Sequence, residues 1–80
     1  MQFIILRQEE HSYHIQPADT ALDALKQYVS EYCCAKDKPF SILCDSGQMT
    51  LSELIDYANQ YLLCNYAAIH EIYALSEKVY

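Results

Sequence analysis

The chain has one glycine, no tryptophan, two prolines, and five lysines and arginines against eleven aspartates and glutamates in 80 residues. Each shortage removes a class of function. With Gly47 alone, no loop can turn several backbone amides onto a phosphate. The formal charge of -6 repels nucleic-acid backbones and anionic membranes, so direct contact with either is not expected. No apolar stretch approaches the roughly 18 residues of a membrane span. The apolar start, Phe3 to Leu6, is too short for a secretory segment and lacks a charged leader. The expectation is a cytoplasmic protein whose four cysteines, Cys33, Cys34, Cys44 and Cys64, are reduced thiols.

Paired metal ligands are also missing. There is no Cys-x-x-Cys, and His11 and His14, three apart on a turn and strand, tend to opposite faces. No metal or cofactor is expected, and no small-molecule substrate is evident. Cys44, ahead of Asp45-Ser46-Gly47, is the position best placed for a nucleophile, but no lysine or arginine follows it to favour a thiolate. A small cysteine-dependent enzyme or redox protein using Cys44 is one alternative reading, and a dimeric structural or regulatory protein is the other.

The residues present describe a single α+β domain over 1–80, since the chain is too short for two cores. Phe3 to Leu6 is a continuous apolar run, expected as a central strand. In Ser12 to Gln16, Tyr13 and Ile15 alternate with polar residues, the period of a half-buried strand, and the two make a hairpin. Beyond Pro17, Asp19 or Thr20 caps a helix that buries Leu22, Leu25, Val29 and Tyr32, with Ala21 and Tyr28 widening the stripe. It is expected to end near Cys34 or Ala35, ahead of Pro39. Phe40 to Cys44 reads as a third strand, followed by Gly47 at positive φ in a turn. Thr50-Leu51-Ser52-Glu53 is a capping box, and Met49 with Leu54 a hydrophobic staple. The helix they open buries Leu51, Leu54, Ile55, Ala58, Tyr61 and Leu62 and frays near Asn65; Ile69 to Leu75 is the last strand. The expected architecture is a two-layer sandwich in ββαβαβ order, a four-stranded mixed sheet with two helices on one face. The uncovered face of that sheet makes a homodimer the simplest way to cover it.

Eight tyrosines are the unusual feature of the composition. Most sit beside helix stripes and are expected at core edges with wet hydroxyls, but tyrosine is also enriched at binding hot spots. Acid and tyrosine together suit docking onto another protein's basic surface. The expected function is a non-catalytic protein-binding module, in its sharper form a phage- or mobile-element-encoded inhibitor of a basic nucleic-acid-handling protein. The contacts are expected at Glu53, Asp56 and Tyr57 on the second helix, and at Glu9 and Glu10 on the hairpin tip.

Overall fold

A computed structural model describes residues 1–9, 12–33, 38–75 and 77–80. Glu10 and the expected helix end at Cys34 or Ala35 lie outside the described residues.

Strands β1 (Gln2–Arg7) and β2 (Tyr13–Pro17) open the chain, then helices α1 (Ala21–Tyr32), α2 (Lys38–Ser46) and α3 (Leu51–Tyr61), a 3-10 turn (Asn65–Ala67), and strands β3 (Ile69–Ala74) and β4 (Glu77–Lys78). The sheet runs β2-β1-β3-β4, and every pair is antiparallel. This is an α+β fold with a four-stranded sheet. The ββαβαβ order, the mixed sheet and the two-helix layer are corrected: three helices separate two antiparallel hairpins, and among the described residues no parallel crossover is made.

The error lies at residues 40–44. Phe40 and Cys44 are buried one helical turn apart, while Ile42 is 69% exposed, a distribution that suits a helix face and not a strand sunk in a sheet. Pro39 is tolerated in the first turn because its missing N–H would have had no helical partner there. Gly47, at φ 71°, follows the last residue of α2 and takes the left-handed backbone that helix C-termini favour.

Local capping signals hold. Thr50 Oγ1 accepts from the Glu53 amide, and the Glu53 carboxylate accepts from the Thr50 amide at 2.9 Å. Met49 and Leu54 both join the core. Thr20 caps α1 through the Asp23 amide. The described part of that helix runs to Tyr32, and Cys33 is extended and enters an antiparallel bridge with Leu63.

The core joins one sheet face to all three helices. Phe3, Ile5, Ile69 and Ile72 from the strands meet Leu25, Tyr28 and Val29 of α1, Phe40 of α2, and Leu54 and Ile55 of α3. Two tyrosines depart from expectation. Tyr61 is 70% exposed, whereas Tyr28 is fully buried. Its hydroxyl donates to the Ala67 carbonyl at 2.7 Å and accepts from Arg7 Nε at 3.0 Å, so the buried oxygen is satisfied without water. Burial pushes the Tyr28 hydroxyl above the ordinary tyrosine pKa, with Arg7 opposing.

Arg7 also lies 4.8 Å from the Tyr32 ring centre. Tyr32 Oη bonds His14 Nδ1, His14 Nε2 bonds Gln16 Oε1, and Gln16 Nε2 donates to Gln27 Oε1. This chain ties β1 and β2 to α1. Among the described residues no buried side-chain nitrogen or oxygen lacks a partner, which gives the network a structural role.

Cys64 is disulfide-bonded, correcting the expectation of four reduced thiols. The Cys33–Leu63 bridge draws the C-terminal ends of α1 and α3 together, and Cys64 sits next to that closure. No helix among the described residues is long and apolar enough to cross a membrane.

Candidate functional site: an acidic cleft beside the third helix

Where β1 ends, Gln8 and Glu9 face the outer side of α3 across a cleft of about 400 Å³. Its walls are Gln8 and Glu9, then Asp56, Asn59 and Gln60 of α3, then Asn65 and Ala68 from the segment leading into β3. Asp56, Asn59 and Gln60 stand at i, i+3 and i+4, so one helix face delivers all three.

A backbone clip fixes the walls. The Asn59 side chain donates to the Ile69 carbonyl at 2.9 Å and accepts from the Ile69 amide at 2.8 Å, holding α3 against the start of β3. Gln8 Nε2 donates to the same carbonyl at 3.2 Å, and the Gln8 amide donates to the Ala68 carbonyl at 2.9 Å. Where β1 pairs with β3, the register shifts between Leu6 and Arg7, so that Leu6 lies opposite Glu71 and Arg7 opposite Ile69. That irregularity swings Gln8 and Glu9 toward the helix.

These bonds set the chemistry of the cleft. Asn59 and Gln8 each direct one amide N–H at the Ile69 carbonyl, while among the described residues the Glu9 carboxylate and one oxygen of Asp56 accept no hydrogen bond. The other oxygen of Asp56 accepts from Tyr80 Oη at 3.1 Å. Burial and this bond raise the Tyr80 hydroxyl above its ordinary pKa, keeping it a donor. Among the described residues no lysine, arginine or histidine lines the cleft. What remains is an acceptor-rich, negative surface that suits ammonium or guanidinium donors.

Of the five residues expected to make contacts, the structure brings Glu9 and Asp56 to one cleft. Glu53 lies one turn earlier on α3 with an oxygen committed to its capping box. Tyr57 is half-buried, stacked on Phe40 with ring centres 6.3 Å apart and 5.1 Å from the Tyr61 ring. Glu10 lies outside the described residues. Gln8, Asn65, Ala68 and Tyr80 were missed. Asn59 and Gln60 follow Asp56 at helical spacing, which is the local signal that places them on the same face.

Other chemistries find less support. Cys44 is buried in the core one turn after Phe40, and the adjacent Asp45 accepts an ion-paired hydrogen bond from Lys26. No group of three His, Cys, Asp or Glu able to hold a metal occurs among the described residues. No protein family, curated protein or solved structure matches the chain.

Proposed function

We propose that the chain is a non-catalytic binding module that docks onto a basic protein surface through the acidic cleft and the adjoining exposed side of α3. One observation carries the reading: Glu9 and Asp56, remote in sequence, line the same clipped cleft, with no cation among the described residues that wall it. Carboxylates held on a rigid scaffold attract and orient a cationic partner. The sharper form, an inhibitor of a nucleic-acid-handling protein encoded by a phage or mobile element, draws support from the sign of the charge, which imitates a phosphate backbone. Burial of Cys44 weighs against the cysteine-dependent alternative, because a reactive thiol needs access.

The test uses a labelled short peptide rich in arginine and lysine, with a citrulline and norleucine counterpart as neutral control. Anisotropy should show saturable binding of the cationic peptide only. The double substitution Glu9→Gln with Asp56→Asn should weaken it about tenfold or more, consistent with two lost charge-assisted contacts, and added salt should weaken it further. Equal binding of both peptides would refute the reading.

A further inference from the structure

We propose that the outer face of the sheet, away from the helices, is the contact between two copies of this chain. Strand alternation builds the face. Ile15, Ile4 and Tyr73 form one cross-strand row, and Tyr13, Leu6 and Glu71 the next. None of the five apolar residues belongs to the core or packs against it. Tyr13 and Ile15 are 63% and 48% exposed, although both sit in a regular strand whose partner row is apolar. A contiguous apolar patch of this kind marks an interaction surface.

Charge selects the occupant. The chain carries -6, so two copies repel wherever acidic faces meet. The acid in these two rows is already neutralised: Lys78 Nζ lies 2.8 Å from Glu71 Oε2, and the Tyr73 hydroxyl donates to the same oxygen. Lys78, hydrogen-bonding Glu71 foremost and with burial opposing, holds the Glu71 carboxyl below its ordinary range. The patch is therefore apolar and electrically neutral on an acidic molecule. A basic partner gains nothing here that the cleft does not offer more strongly, whereas two copies meet here with less like-charge repulsion than at an acidic face. A two-fold axis lays the same rows on both sides, sheet on sheet, the self-complementary arrangement of a closed dimer.

Sedimentation equilibrium from about 1 µM to about 1 mM tests the proposal, a span that covers weak to moderate self-association. The expected result is a reversible monomer–dimer equilibrium that salt does not weaken. Ile15→Lys and, separately, Tyr13→Lys should each weaken the dimer at least about tenfold, since each removes apolar burial from both copies and introduces a charge. Both positions are exposed, so circular dichroism and thermal melting, measured below the dimerising concentration, should match the unaltered protein. Ile42→Lys, at an exposed apolar position on α2, should leave association unchanged. A monomer at every concentration would overturn the proposal, as would a dimer that survives both Ile15→Lys and Tyr13→Lys, or one that Ile42→Lys alone disrupts.

Discussion

Ile4 and Ile5 are neighbours in one strand and serve opposite faces of the sheet. Ile5 is fully buried beneath the helices, opposite His14 and Ile72. Ile4, opposite Ile15 and Tyr73, stays outside the core. Among the described residues every buried side-chain nitrogen and oxygen finds a partner within the chain. On the outer side Tyr13 and Ile15 are exposed and Ile4, Leu6 and Tyr73 half-buried, and none of them packs on the core. The cleft adds a third surface, where unspent acceptors face solvent. The helix-side face thus holds the fold, while the other two present chemistry that a partner can complete.

The largest expected effect breaks the comparison at its centre. Ile5→Ala should cost about 2–5 kcal/mol in urea unfolding, the range for truncating a core isoleucine, whereas Ile4→Ala, measured below the dimerising concentration, should cost less than about 1 kcal/mol. Similar losses at both positions would abolish the distinction between faces.

Tyr28→Phe comes next, at about 1–3 kcal/mol, because it strands the buried Ala67 carbonyl and removes the acceptor for Arg7. Its pH dependence sharpens the point. Burial raises the Tyr28 pKa, so the native state holds this proton longer than the unfolded chain does. The contribution is fully present below the ordinary tyrosine value near 10 and is lost as pH rises through the folded value. Urea midpoints across alkaline pH should therefore fall less steeply in Tyr28→Phe.

Thr50→Ala should cost about 1 kcal/mol through loss of the N-cap, while leaving peptide binding at the cleft intact if the helix remains. The smallest effect belongs to Glu71→Gln. Lys78 lowers the Glu71 pKa, so its contribution is present above the ordinary carboxylate value and lost as pH falls below it. The substitution should flatten the acid limb of the stability curve slightly and, by unbalancing Lys78, introduce salt dependence into self-association.

Legibility in the sequence followed the range of the interactions. The capping box at Thr50–Glu53, the positive φ of Gly47 and the alternation of Tyr13 and Ile15 depend on residues within a few positions, and all were readable. Phe40 to Cys44 was misread because a five-residue apolar run is equally short for a buried strand and for one helical turn and a half; only the exposure of Ile42 distinguishes them. β4, two residues long, carries no periodicity at all. At the site, charge alone singled out Glu9 and Asp56. Their meeting depends on the β1–β3 register shift and on the Asn59 clip to Ile69, long-range features that no local pattern announces.

One measurement reads both proposed surfaces together: backbone amide shifts of the isotopically labelled protein, recorded once on titration with the cationic peptide and once on dilution from about 1 mM to about 10 µM. The account predicts that the peptide moves Gln8, Glu9, Asn59, Gln60 and Asn65, and that dilution moves Ile4, Leu6, Tyr13, Ile15 and Tyr73. Peptide-induced shifts confined to the outer sheet face, or none at the cleft, would contradict it.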